Sequence, residues 1–255
     1  MSIRTRDPGE FCWVNILTPQ PAGACAFFGE LLGWTYAEMP GMGYTILVNG
    51  SPIGGLFDSN GPGTPEGTKP MLGVMVKVLS ADDASAKVSE LGGTAKAPFD
   101  IMEQGRMAVC FDPLGAEFDV WQAKKGRGMD VHKNVQGAPS WFDTLTTDLD
   151  KTEKFYSALF GWTAERQAIP GVTYTVFKRG HEYVAGALHV TPDMHAQAKR
   201  WVTHFTVKDV EESARTAQRL GGTLRTTVRN AGDFGRFCAI TSPKGVPFAV
   251  IQYGR

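Results

Sequence analysis

Long apolar runs are missing from this chain. None approaches the roughly 20 residues needed to span a bilayer, so no membrane partner is expected. The N-terminal stretch MSIRTRDPGEF also lacks the apolar segment of a signal peptide, which makes the cytoplasm the expected location. Excess charge is absent too: Lys plus Arg and Asp plus Glu number 26 each, so nothing draws a polyanion over long range, and nucleic acid is not an expected partner. Cysteine is scarce. Cys12, Cys25, Cys110 and Cys238 show no CxxC spacing, which leaves reduced, mostly buried thiols as the expected state in place of disulfides or a zinc site. Beyond His204, the histidines are His132, His181, His189 and His195, in or near loops and without HExxH spacing. No glycine-rich phosphate loop follows a strand and no GxSxG elbow occurs, so hydrolase and nucleotide-binding readings have no support.

What is present is a duplication. SWFDTLTTDLDKTEKFYSALFGW (Ser140 to Trp162) repeats a design met first at Cys12 to Trp34. Trp141 follows Trp13 by 128 positions, and FYSALFGW follows FFGELLGW by the same interval. Pro40, Gly41 and Tyr44 then match Pro170, Gly171 and Tyr174, and the LGGT at Leu91 matches the LGGT at Leu220. Gly105-Arg106 matches Gly235-Arg236, and DPLGAEFDVWQ and SPKGVPFAVIQ close the two halves. A period this long means two similar domains and not a solenoid. At 255 residues and 42 % hydrophobic content, each half can bury a core of its own. The expected division is a first domain over 9–122, a polar linker over 123–138 and a second domain over 139–253.

Within each half the periodicities give the same order twice. Residues 11–18 alternate as a strand, with Cys12, Val14 and Ile16 on the core face and Trp13, Asn15 and Leu17 on the other. Pro21 opens a helix whose Ala24, Phe27, Phe28, Leu31 and Leu32 recur at helical spacing until Gly33 stops it. Three short strands follow, near 34–39, 43–49 and 52–57, separated by Pro40-Gly41 and Asn49-Gly50 turns. A second unit runs through strand 71–79, helix 82–91 and strands near 94–97, 106–111 and 116–122. The second half repeats the pattern. It has a capping-box-like helix start at Asp150 and Glu153, strands near 163–168, 172–178, 183–190 and 200–207, and a helix over 209–220.

Four successive βαβββ units, with FY..LFGW, LGGT and GR…DP.G…WQ in order, resemble the glyoxalase/bleomycin-resistance/dioxygenase group, the vicinal oxygen chelate proteins. The resemblance covers nearly all of residues 10–252 and is closest to tandem two-domain glyoxalase-like members. It implies an α+β fold of two tandem domains, each made of two βαβββ units that curl a mixed or antiparallel sheet into a cup with helices outside. Relatives either close each half into its own cup or exchange units between halves, and the sequence leaves both open. Metal-binding members carry a His or Gln early in the first strand, a His on the fifth and a Glu on the eighth. Here those positions hold Trp13 and Trp141, Gly73 and Val202, and Asp119 and Ala249. An indole has no lone pair for a metal, and a catalytic metal wants about three protein ligands. No cofactor is therefore expected, with Fe, Zn, Mn or Ni as the alternative.

Strand parity assigns the cleft-facing side chains. In the first half these are Trp13, Asn15, Met75, Lys77, Glu117, Asp119 and Trp121, a set suited to stacking a flat ligand and bonding its edges. In the second they are Trp141, Asp143, Tyr174, His204 and Thr206. Asp143 and His204 each lie two residues past a family metal position. They could hold a shifted metal, form an acid/base pair, or orient a ligand, or His204 could be a satisfied polar group in the wall. Arg106 and Arg236 could grip a carboxylate; the favoured reading is that they belong to the fold and bond loop carbonyls. The leading expectation is a monomer (a pseudo-dimer) or homodimer that captures a small metabolite or antibiotic without the family-type metal. The alternative is a lyase, isomerase or oxygenase/hydroxylase acting through Asp143 and His204. A scaffold whose clefts are filled by its own side chains is the third.

Overall fold

The computed structural model describes residues 6–62, 64–169, 171–192 and 198–254. Pro170, His195 and the first five residues of the N-terminal stretch lie outside the described residues. The first half contains β1 (Phe11–Thr18), α1 (Pro21–Leu32), β2 (Thr35–Met39), β3 (Gly43–Val48), β4 (Ser51–Asp58), β5 (Met71–Val78), α2 (Ala81–Glu90), β6 (Thr94–Ala95), β7 (Phe99–Ile101), β8 (Gly105–Phe111) and β9 (Glu117–Ala123). The second contains β10 (Pro139–Thr146), α3 (Leu149–Phe160), β11 (Thr163–Ile169), β12 (Val172–Arg179), β13 (Glu182–His189), β14 (Arg200–Thr206), α4 (Val210–Arg219), β15 (Thr223–Leu224), β16 (Arg229–Asn230), β17 (Arg236–Thr241) and β18 (Pro247–Gln252).

Each half forms one nine-stranded mixed sheet, so the architecture is α+β and tandem. The strand orders are β2-β3-β4-β1-β5-β9-β8-β6, with β7 on β8, and β11-β12-β13-β10-β14-β18-β17-β15, with β16 on β17. The pairs β1·β4, β5·β9, β10·β13 and β14·β18 are parallel, each joining strands with a helix between them in sequence, as the crossover geometry requires. Glycines in the left-handed region stop α1 and α3: Gly33 at φ 75° and Gly161 at φ 70°, as the sequence indicates. The start of α3 differs from expectation. Its cap is Asp148, whose side chain accepts the Lys151 N–H, while Glu153 is drawn away to Arg166 and Thr175. β7 and β16, and the short 3-10 turn at Gly232–Phe234, are too short to leave an alternation in the sequence.

The chain also divides into two compact units, each drawn from both halves. One unit holds the segment up to Cys12, Val74–Gly128 and Trp141–Val202; the other holds Trp13–Gly73, Met129–Ser140 and Thr203 onward. In the first unit, Phe118 from β9 meets Phe155, Tyr156 and Phe160 of α3, and Phe11 stacks on Phe142 at 4.0 Å between ring centroids. In the second, Phe28 of α1 meets Phe248 of β18, and Trp34 meets Phe205 of β14 edge-on. Each buried aromatic of this kind contributes about 1.5–3 kcal/mol through its removal from water.

The repeated Gly-Trp pair that closes α1 and α3 (Gly33-Trp34 and Gly161-Trp162) acts the same way in both units. Trp34 Nε1 donates to Gly137 O at 2.8 Å, and Trp162 Nε1 donates to Gly9 O at 3.0 Å. Each indole thus secures a glycine two positions ahead of the first strand of the opposite half. Both glycines have positive φ, 79° at Gly137 and 84° at Gly9, where a side chain would be strained. The second glycine of each LGGT is likewise needed for close approach: a Cβ at Gly93 would sit 3.2 Å from Phe155 and one at Gly222 3.2 Å from Phe27. Residues 129–140, polar in sequence, are thereby built into the second unit.

Candidate functional site

In the first unit, parallel pairing of β10 with β13 sets Asp143 opposite Gly186. Asp143 Oδ1 accepts a hydrogen bond from Tyr174 Oη at 2.6 Å and another from Trp141 Nε1 at 2.9 Å. The indole N–H is shared with Tyr174 Oη, also at 2.9 Å. All three side chains are half-buried, so the cluster combines an oriented carboxylate with two aromatic surfaces that solvent can still reach. Gly186 makes the cluster sterically feasible, since a Cβ there would collide with both Tyr174 Oη and Asp143 Oδ1. Its place inside an otherwise regular strand (EYVAGALH) is a sequence signal of close approach.

The second unit holds the counterpart from the first half. Asn15, half-buried on the same face of β1 as Trp13, stands opposite Gly55 of β4. Here Gly55 is needed for a different neighbour: a Cβ would run into the Phe57 ring and lie 3.1 Å from Asn15 Oδ1. Tyr44, the match of Tyr174, packs edge-on against Tyr36, 6.3 Å between ring centroids.

The remaining first-half residues lie in the first unit on two neighbouring strands. Register places Met75 beside Asp119 and Lys77 beside Trp121 on β5 and β9. Met75 and Asp119 are buried, whereas Lys77 and Glu117 are half-buried. Burial raises the pKa of Glu117, opposed by the positive charge of Lys96. Cys12 in the same unit is pushed up to about 12 by burial, against the pull of Lys77 and Arg6 and with a small push from Asp119. It is a packing thiol and not a nucleophile at neutral pH. Trp121 Nε1 donates to Gly126 O at 3.2 Å, and its ring lies over Gly105, so this indole holds the segment after β9.

His204 and Thr206 lie in the second unit on β14. The His204 ring is buried, 5.7 Å from that of Phe237, and the residue pairs in register with Ala249. Thr206 donates its hydroxyl to Lys133 O, which ties it to the segment ahead of β10. Arg106 forks onto Asp82 at 2.8 and 2.9 Å, and Arg236 bonds Glu211 and Gln252. Both arginines thus belong to the fold, as expected, but they grip carboxylates in the first turns of α2 and α4 and not loop carbonyls. The four cysteines are free thiols.

The donor set does not suit the metal of the metal-binding relatives. At the early first-strand position, the Trp141 N–H is already donating to Asp143, and an indole offers no lone pair. No group of three or more His, Cys, Asp or Glu gathers into a ligand set among the described residues. No helix among the described residues is long and apolar enough to cross a membrane.

Comparison with known proteins agrees with this architecture. Residues 140–250 match the family model of the Glyoxalase/Bleomycin resistance protein/Dioxygenase superfamily. CFP32 of Mycobacterium tuberculosis, provisionally named a glyoxylase, is 31 % identical over 247 residues, covering 94 % of this chain and 93 % of its own. The anthracycline biosynthesis protein DnrV of Streptomyces peucetius is 29 % identical over 264 residues, covering 96 % and 94 %. Among solved structures, the Mn(II)-bound glyoxalase from Novosphingobium aromaticivorans is similar at a TM-score of 0.66 and 14 % identity, covering 98 % of this chain and 83 % of its own. A variant of homoprotocatechuate 2,3-dioxygenase from B. fuscum gives 0.68 and 13 %, covering 99 % and 73 %. These structural likenesses establish the fold alone.

Proposed function

The chain belongs to the glyoxalase/bleomycin resistance protein/dioxygenase superfamily, and from that premise we propose that it binds a small, flat metabolite or antibiotic without the family-type metal. The observation that carries this reading is the Trp141–Asp143–Tyr174 cluster. Two aromatic donors fix the orientation of the carboxylate between two ring surfaces. A planar ligand stacks on the neighbouring ring surfaces and gives a hydroxyl or amine hydrogen to Asp143. The relationship to a protein named for anthracycline biosynthesis supports an aromatic ligand class.

Binding without conversion is the expected behaviour. Equilibrium dialysis against a panel of planar aromatic metabolites and antibiotics, followed by mass spectrometry, measures both occupancy and chemical change. Saturable binding of an unchanged compound, weakened by Asp143→Asn, supports the proposal. Conversion of the compound that is lost in Asp143→Asn or in His204→Ala would favour an enzyme. Failure of the whole panel to bind would leave the aromatic cluster as packing.

A further inference from the structure

A second candidate site lies in the first unit, away from the aromatic cluster, at the adjoining C-terminal ends of β5 and β9. A half-open groove of about 550 Å³ is lined there by Lys77, Val78, Leu79, Gln122, Lys124 and Arg127. This volume falls in the range of about 300–1,000 Å³ typical of small-molecule sites. Its lining carries three cations and no carboxylate.

The neighbourhood neutralises these charges only in part. Lys124 meets Asp100 at 3.1 Å, but Asp100 is shared with Arg106 at 3.6 Å. Lys77 donates to the carbonyl oxygen of Arg6 at 2.6 Å, a neutral partner. Neither Lys77 nor Arg127 forms an ion pair among the described residues, and Arg127 is exposed. The segment bearing Lys124 and Arg127 is held in place. Lys124 N and Gly126 N both donate to Gln104 O, at 2.9 and 2.8 Å, and Trp121 secures Gly126 from the other side. Gln122 Oε1 is occupied by the Ala81 N–H at 3.0 Å, which leaves its amide hydrogens as donors beside the cations. Val78 and Leu79 add an apolar wall, and Leu79 is 83 % exposed.

The duplication separates what the fold needs here from what it does not. The glutamine clip recurs in the second half, where Gln252 Oε1 accepts from Val210 N at 3.1 Å. The lining does not recur in kind: Lys77 is matched by Thr206, Lys124 by Gly254, and the apolar Leu79 by Lys208. A repeated clip beside an unrepeated lining separates Lys77 and Lys124, with the apolar Leu79, from what the fold needs. We propose that this groove binds the anionic group, carboxylate or phosphate, of a small organic acid whose apolar part rests on Val78 and Leu79. This site is independent of the aromatic cluster.

Calorimetric titration with benzoate and phenyl phosphate, with neutral benzyl alcohol as comparison, tests it. Both acids are expected to bind saturably at low ionic strength, phenyl phosphate more tightly, and benzyl alcohol not at all. Lys124→Gln combined with Arg127→Gln should weaken the acids by about tenfold or more, since both side chains face the ligand charge. Both positions are exposed, so an unchanged melting curve is expected for the double variant. Asp143→Asn should leave acid binding unchanged, which separates this site from the aromatic cluster. Absence of saturable binding by either acid at millimolar concentration, equal affinity in the double variant, or equal binding of benzyl alcohol would each overturn the proposal. Loss of acid binding in Asp143→Asn alone would do so too.

Discussion

The regions around Asp143 and Asn15 occupy matching places in a duplicated chain, yet their side chains are arranged differently. Beside Asp143, a glycine clears room for a tyrosine hydroxyl and an indole N–H to converge on one carboxylate oxygen. Beside Asn15, the matching strand pair uses its glycine to admit the Phe57 ring, and Tyr44 turns to Tyr36. The two halves agree at other places. Trp34 and Trp162 secure Gly137 and Gly9, Gln122 and Gln252 clip the starts of α2 and α4, and Arg106 and Arg236 hold carboxylates in those same helix turns. What repeats holds the backbone, and what differs lies among the half-buried side chains around Asp143 and Asn15. This is the physical ground for expecting inequivalent sites.

The largest expected effect probes the part the halves share. An alanine at Gly137 combines positive φ with a clash on Leu32 O and a contact of 3.0 Å to Trp34 Nε1, and should cost about 3 kcal/mol. An alanine at Gly9 meets Trp162 Nε1 at 3.3 Å and should cost about 1 kcal/mol. Urea midpoints of the two variants measure the difference, and equal losses would show that the two tryptophan contacts are more alike than their geometry. Next comes the part that differs. Asp143→Asn should weaken the bound aromatic ligand by about tenfold, or about 1.4 kcal/mol, while Asn15→Asp should leave that affinity unchanged in the same titration. An equal response to both substitutions would make the two regions functionally equivalent.

A smaller effect concerns Asp112, which occupies the place taken by Ser242 in the second half. Its carboxylate is buried, accepts Leu114 N and Ala116 N, and receives the Tyr156 hydroxyl at 3.2 Å. Burial raises its pKa above the usual carboxylate range, against those hydrogen bonds. A raised folded-state pKa means the folded protein binds the proton more readily than the unfolded chain does. This contribution is fully present below the unfolded pKa and is lost as pH rises through the folded value. The stability of the wild type relative to Asp112→Asn should therefore grow as pH is lowered through that window, and denaturant titrations at several pH values check it. A constant difference would show that the carboxyl does not titrate there. The smallest effect is expected at the helix starts: Arg106→Ala and Arg236→Ala should each lower the melting temperature slightly and to a similar extent, because both ion pairs face solvent.

Much of this was legible in the residues. Period-two alternation placed β1, with Cys12, Val14 and Ile16 fully buried, and glycines marked the ends of α1 and α3. Residue parity also put Asp143, Tyr174 and Trp141 on one side of a sheet, and there they do meet. The start of α3 was misplaced by two residues, because Asp148 and Asp150 are chemically the same cap candidate and only backbone direction distinguishes them. Cleft-facing parity did not reveal that Trp121 and Thr206 commit their polar groups to Gly126 and Lys133, since those partners come from segments without periodicity. The cationic groove escaped for a similar reason: Lys77 sits on a strand and Arg127 in a polar segment, and sequence spacing says nothing of their meeting.

The sequence by itself determined the duplication, the order of strands and helices, and the family. These depend on local periodicity and on residue chemistry at aligned places, which a linear chain displays directly. Tertiary structure alone decided that the sheets follow the halves while the packed cores draw on both. Strand order is set by backbone hydrogen bonds within a half, but burial is non-directional and accepts any apolar face that fits. Phe118 therefore meets α3, and Phe28 meets β18. The repeated Gly-Trp pair is legible in the sequence, but only the tertiary structure shows that each indole reaches the opposite half, Trp34 ending on Gly137 and Trp162 on Gly9.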